Sequence, residues 1–326
     1  MKYSEPLSRI LIISGVLLVL AVPFAAQAIG AQGVIEIHAR VAESGGWTPS
    51  TIRAKVGVPL HLRMTSDDVM HSFAIGQSDT PAVDVLPGQM TDVTLTFDKP
   101  GTYTYYCTRW CGPNHWRMRG TIEVTGGDSA SPPPGTPPLY VTLNLDIDAA
   151  HPAAVIPVGI PEAQRGAQFA DLLTTTVMSL DYYRSHSPAH AFEDLRVDPS
   201  LTSLNNSDLW DLIAYLWQSN STPEGLAEGQ RLFAQNCTAC HGETGGGNGV
   251  FSANIKALAG KTPANFSDPT TMLGAAPALL QGKILRGGMG TGMPSWGPIL
   301  TDQQTWNIIS YLYTFQFNEN SAAAGK

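Results

Sequence analysis

Two stretches of the sequence hold residue types suited to redox chemistry. The first, Cys107-Thr108-Arg109-Trp110-Cys111-Gly112-Pro113-Asn114-His115-Trp116-Arg117-Met118, places two cysteines, a histidine and a methionine within twelve positions. Thiolate, imidazole and thioether together form a soft donor set, which selects copper over magnesium, calcium or manganese. A mononuclear blue-copper loop needs one Cys, one His and one weak Met. Here a second Cys follows the first by four residues, and two thiolates on one loop can each bridge the same pair of metal ions. A Cys107–Cys111 disulfide accounts for two residues and leaves the rest idle, while zinc makes no use of Met. One short loop cannot surround two ions, so a further ligand is expected upstream. Asp68-Val69-Met70-His71-Ser72-Phe73 offers His71.

The second stretch is Cys237-Thr238-Ala239-Cys240-His241, the spacing of covalent haem attachment. Two thiols add to the porphyrin vinyl groups, and the adjacent His binds iron from one face. A bare C-x-x-C is equally suited to redox exchange or zinc; the fifth residue and its surroundings decide. A helical pattern at Leu226–Asn236 precedes the motif, and Gly242-Glu243-Thr244-Gly245-Gly246-Gly247-Asn248-Gly249 follows it. Further on come Met293-Pro294 and a helical pattern at Trp306–Phe315.

The first pair of stretches resembles the binuclear CuA site of haem–copper oxidase subunit II, in which an Asp-Val-x-His-Ser-Phe turn precedes Cys-x3-Cys-x3-His-x2-Met. The resemblance implies that Cys107 and Cys111 bridge two coppers and that His71 and His115 bind one each. It makes Met118 a weak ligand to one copper and the backbone carbonyl of Arg109 a weak ligand to the other. The second region, about 226–317, is similar to class I cytochrome c, whose first and last helices cross. That likeness places Gly229 and Phe233 against Trp306 and Tyr311. It gives covalent attachment at Cys237 and Cys240, and axial ligation by His241 and Met293. Met289 and Met272 are the alternatives to Met293. His/Met ligation raises the reduction potential relative to harder ligand sets.

These groups need a scaffold. From about Gly33 to Val124 the pattern is period-2 strand with turns, and Ile35-Ile37-Ala39, Leu60-Leu62-Met64 and Val93-Leu95-Phe97 each alternate with other residues. Many short strands read as a β-sandwich, with the metal loop joining the last two. The resemblance makes this a cupredoxin domain, 31–128. Eight residues, Ser131 to Pro138, include five prolines and mark a linker at 129–139 that is extended and semi-rigid. The last domain, 222–326, is the mostly α cytochrome c domain. Between them, 140–221 ends in a repeat: Leu204–Trp217 parallels Leu300–Tyr313 at an offset of 300 − 204 = 96. The same offset carries Cys237 onto Val141 and Met293 onto Val197. This segment is therefore expected to be a degenerate, haem-free copy. His151, His186 and His190 lie in it without local ligand spacing and are expected to be surface histidines.

Ile10 to Ile29 is an almost uncharged apolar run behind Lys2 and Arg9. Twenty helical residues span about 30 Å, enough for a bilayer core. The flanking positive charge puts later residues outside the cytoplasm. The expectation is a retained transmembrane anchor at 1–30, and Ala26-Gln27-Ala28 offers the competing reading of a cleaved signal peptide. The net charge of −8 among 326 residues, with no basic cluster, argues against nucleic acid as a partner.

With two redox centres and no nucleophile or acid–base pair, electron transfer is the expected chemistry. The architecture resembles haem–copper oxidase subunit II fused to cytochrome c, as in the caa3 type. That implies electrons passing from an external donor, such as a quinol-oxidising complex or small redox protein, to haem c, to CuA, and to subunit I of the oxidase among other membrane subunits. Three departures stand out. There is one apolar span where most subunits II have two, and the single-span ba3 type is the closer likeness. The aromatic run that receives electrons from soluble cytochrome c is missing ahead of the strands. The family's Cys-x-Glu position is Arg109. A CuA-dependent nitric oxide reductase and a copper carrier are the alternatives, and the haem argues against carriage.

Overall fold

The computed structural model of the chain describes residues 33–78, 80–112, 114–127, 137–288 and 291–317. The expected membrane anchor, most of the proline-rich linker, and Met289 lie outside the described residues. Among the described residues, no helix is long and apolar enough to cross a membrane. The chain divides into two compact units, one β-rich and one helical.

The β unit is a two-sheet sandwich. Its strands are β1 (Ile35–Ala39), β2 (Trp47–Thr48), β3 (Thr51–Lys55), β4 (Leu60–Ser66), β5 (His71–Ile75), β6 (Val83–Val85), β7 (Thr91–Leu95), β8 (Gly101–Tyr106) and β9 (Arg119–Thr125). One sheet runs β2-β1-β4-β7 and the other β3-β9-β8-β5-β6. Alternation decides which face is inside: Leu60, Leu62 and Met64 of β4 are buried, as are Ile122 and Val124 of β9. The β8–β9 hairpin pairs Tyr105 with Gly120. A Cβ at Gly120 would lie 2.2 Å from the Tyr105 ring. Glycine therefore lets the buried ring lie flat across the neighbouring strand. The expected strands are present, and the metal loop joins β8 to β9.

In the helical unit, α1 (Leu180–Ser185), α2 (Pro188–Arg196) and α3 (Asn206–Ser219) precede α4 (Pro223–Asn236) and α5 (Thr238–His241). Then come α6 (Pro277–Arg286) and α7 (Asp302–Tyr313). The two repeated segments are the helices α3 and α7. Each begins at a side-chain cap: Asn205 accepts from the Asp208 amide, and Thr301 forms a capping box with Gln304. Helix α4 crosses α7 at Gly229, where a Cβ would lie 2.1 Å from the Asn307 carbonyl. The Phe233 and Tyr311 rings meet at 5.5 Å beside that crossing. Trp306, expected on the same face, instead lies under the Arg184 guanidinium, 4.1 Å from its ring centroid. One residue turns a helix by about 100°, so Asn307 and Tyr311 share the crossing face. A similar close contact occurs earlier in the chain, where a Cβ at Gly166 would lie 1.9 Å from the Asp211 carbonyl. Asp211 and Asn307 are equivalent at the same offset, 307 − 211 = 96.

Candidate metal and haem sites

The first site sits where β5 starts and β8 ends. One ligand-type atom from each of His71, Cys107 and Cys111 falls within 4.8 Å of the other two, and all three residues are buried. The Cys107 Sγ lies 3.9 Å from His71 Nδ1, and the Cys111 Sγ lies 3.3 Å from His115 Nδ1. No disulfide joins the cysteines. The loop is held by its own backbone. The Cys107 amide donates to the Met118 carbonyl at 3.0 Å, and a 3-10 turn at His115–Arg117 closes it. Gly112 has a φ of 139°, a left-handed conformation open to glycine. Met118 is buried, with its Sδ against Gly46. Arg109 is exposed on the loop between the two cysteines.

Partners that the spacing of ligands did not single out fix these groups. Asp68 Oδ1 lies 2.8 Å from His71 Nε2, which therefore carries the proton and leaves Nδ1 facing the sulfurs. Asp68 also accepts from the Val41 and Val69 amides at 2.7 and 2.6 Å. Burial pushes its carboxyl pKa up, but these bonds and the one from His71 outweigh it and hold the pKa below the ordinary value. For His71, burial opposes charge, and the hydrogen bonds to Cys107 and Asp68 overcome that and raise its pKa. Trp47 donates from Nε1 to the Met118 carbonyl at 3.2 Å and packs its ring 6.2 Å from His71. The Ser72 amide donates to the Cys107 Sγ at 3.4 Å.

The two thiols titrate as a pair. A hydrogen bond from Cys111, with the facing His115 and His71 rings adding to it, pulls the Cys107 thiol down against the cost of burial. The second proton is held on Cys111 by that shared hydrogen bond and by burial beside the Cys107 thiolate. Two buried sulfurs, the buried His71 and the half-buried His115 beside Cys111 fit a soft transition metal. Motif position alone marks Asp68 in the sequence; Trp47, separated by 71 residues from its partner Met118, carries no local signal.

The second site is α5 and its surroundings. Cys237 precedes α5 as its cap, Cys240 and His241 lie on it, all three are half-buried, and both cysteines are free. His241 Nδ1 lies 3.0 Å from the Ala264 carbonyl, and the ring stacks on Phe266 at 4.5 Å. That bond assigns the proton to Nδ1 and frees Nε2. Burial lowers the His241 pKa against the pull of the carbonyl, keeping the ring neutral. The glycine loop wraps α5 closely: a Cβ at Gly249 would lie 2.4 Å from the Thr238 carbonyl. These features fit a haem held through two thiols and a neutral imidazole. Met293 lies on the later loop, where its carbonyl accepts from the Gly288 amide at 3.1 Å. Met272 is buried in the helical core.

The β unit thus carries a Cys/His cluster, and the helical unit carries a C-x-x-C-H motif. Residues 47–125 match the family described as Cytochrome C oxidase subunit II, periplasmic domain, and residues 226–316 match Cytochrome c. A cytochrome c domain implies haem c, and a subunit II periplasmic domain implies copper. Cytochrome c oxidase subunit 2 of Thermus thermophilus is 38% identical over 79 residues, 24% of this chain and 58% of that protein. A same-named protein from a second Thermus thermophilus source is also 38% identical over 79 residues, 24% of this chain and 46% of its own length. This chain thus spans about half the length of those relatives. The solved periplasmic domain of cytochrome oxidase subunit II of Bradyrhizobium japonicum is 19% identical at a TM-score of 0.26, covering 29% of this chain and 86% of its own.

Proposed function

We propose that the chain is the subunit II-like electron-transfer subunit of a haem–copper terminal oxidase, passing electrons from haem c to binuclear CuA and on to a catalytic subunit in another polypeptide. The observation that carries this reading is the convergence of His71 with two buried thiols, with His115 Nδ1 3.3 Å from the Cys111 Sγ, in a chain that also bears C-x-x-C-H. In this reading Cys107, Cys111, His71 and His115 would be the main ligands holding the copper pair. Met118 and the Arg109 carbonyl are the weak ligands. Cys237 and Cys240 would hold the haem through their thiols, and His241 and Met293 would supply its iron ligands. When bound, the copper pair and the haem iron supply one-electron oxidation and reduction.

The chain's own residues set the terms. Asp68 keeps the proton of His71 on Nε2, so Nδ1 stays a donor without rearranging. The Ser72 amide donates to the Cys107 sulfur and tempers its charge. Trp47 clamps the Met118 carbonyl from inside the sandwich. The Ala264 carbonyl does for His241 what Asp68 does for His71. A ligand shell held in this way has little to reorganise when an electron arrives.

The apolar run at 10–29 anchors the chain in the cell membrane with its domains on the extracytoplasmic side. Subunit I and an external electron donor are its partners. Segment 140–221 is a haem-free copy of the cytochrome c domain, a reading supported by the Gly166–Asp211 and Gly229–Asn307 contacts. The test is purification of the full chain from native membranes, with copper and iron analysis and EPR. Two coppers per haem, a seven-line mixed-valence signal and a co-purifying oxygen-consuming subunit are expected. One copper per haem, or none, overturns the proposal.

A further inference from the structure

The segment that lacks haem ligands has a ligand cluster of another kind. His186, His190 and Asp194 each offer one ligand atom within 4.8 Å of the other two. The sequence spacing is His-x3-His-x3-Asp, which a helix gathers onto one side. His190 and Asp194 are one turn apart on α2, and His186 caps the end of α1 just ahead of it. The other face of α2 is fixed: Ala189, Ala191, Phe192 and Leu195 are buried, and Phe192 stacks on Trp210 at 4.8 Å. The Ala189 amide donates to the Leu273 carbonyl at 2.8 Å. A rigid helix therefore presents His190 and Asp194 outward. His190 is exposed and His186 half-buried, and both rings face the Asp194 carboxylate.

We propose that His186, His190 and Asp194 form a site for a borderline divalent transition cation of the zinc class. Their spacing points to a metal. The His186 Nε2 and His190 Nε2 atoms lie 3.8 and 3.6 Å from the Asp194 carboxylate, beyond hydrogen-bond length. Ligands at about 2.0–2.1 Å around a tetrahedral zinc lie roughly 3.3 Å apart, so a small inward motion completes the shell. Outer partners already fix the donors. His186 Nδ1 donates to the Tyr182 carbonyl at 3.0 Å, which turns Nε2 toward the cluster as a lone-pair donor. The Tyr182 ring stacks on His186 at 3.9 Å, and its hydroxyl donates to Asp194 Oδ2 at 3.2 Å. Two imidazoles and one carboxylate suit zinc-class ions and are poor for calcium or magnesium. Water completes the coordination, and a bound ion would clasp α1 to α2.

The test uses the full chain already loaded with copper and haem, so that those centres do not take up the probe. Equilibrium dialysis against zinc ions alone should show one zinc beyond what His190→Ala or the near-isosteric Asp194→Asn binds. Each variant should weaken that binding by about 100-fold or more, since even outer partners of a metal ligand are worth about 10- to 100-fold. His61→Ala, an exposed histidine on β4, should bind as the parent does. Zinc-edge X-ray absorption should report two imidazoles in the shell. Equal zinc binding by the parent and both variants, or a shell without imidazole, overturns the proposal.

Discussion

The metal-type loop and the haem-type motif each present two cysteines and a histidine, in opposite settings. In the sandwich, Cys107 and Cys111 are 3% and 8% exposed and His71 is fully buried. Hydrogen bonds there favour loss of the first thiol proton. In the helical unit Cys237 and Cys240 are half-buried, and burial, with the neighbouring thiol adding to it at Cys237, raises both thiol pKa values. The contrast follows the chemistry proposed for each. A metal ligand must be a thiolate, whereas a cysteine that becomes a thioether needs no standing anion. The first site is assembled by long-range contacts across a sheet. The second is assembled mainly by one local helix and the loop around it.

Substitutions can break that contrast, and the largest effect is expected at Cys107. Cys107→Ser should abolish the near-infrared copper absorbance while the Soret band of covalent haem persists; joint loss would mean the two sites are not independent. Next, Gly229→Ala forces a Cβ toward the Asn307 carbonyl and should cost about 3 kcal/mol by overpacking. That would lower the denaturant midpoint followed at the Soret band and leave copper content alone. Asp68→Asn should weaken copper binding by about 10- to 100-fold, the usual worth of a partner behind a metal-bound His. Chelator competition reads that value, and an unchanged affinity would remove Asp68 from the site.

Much of this was legible where one short stretch holds all the information. Alternation marked β1, β4 and β7, and the spacing of Cys107, Cys111 and His115 marked a loop that the hairpin then closes. The Asn307 face of α7 was missed by a single residue, because Trp306 looks like the better core residue and helix phase is not written in composition. Trp47 escaped because its contact with Met118 exists only after two sheets have packed. The His186, His190 and Asp194 grouping was passed over in the sequence, because a turn separates His186 from α2 and its ring position depends on the Tyr182 carbonyl. Asp68 stood inside the recognised motif, and only the observed Nε2 contact gives it a role.

The smallest effect concerns how segment 140–221 is tied to the later helices. Asp148 accepts from Arg286 Nη1 and Nη2 at 2.8 and 2.5 Å. The Arg286 hydrogen bond holds the exposed Asp148 carboxyl below its ordinary 3.8, against a small opposing push from burial. The folded chain thus binds this proton less readily than the unfolded chain does. The stabilisation is present above that ordinary value and is lost as pH falls through the lower folded value. Asp148→Asn should therefore lower Tm slightly at pH 5, and the gap from the parent should close as the pH is taken well below 3.8. Thermal melts of the haem-loaded chain across that range measure it. A gap that widens toward acid would mean the pair does not fasten the segment to α6.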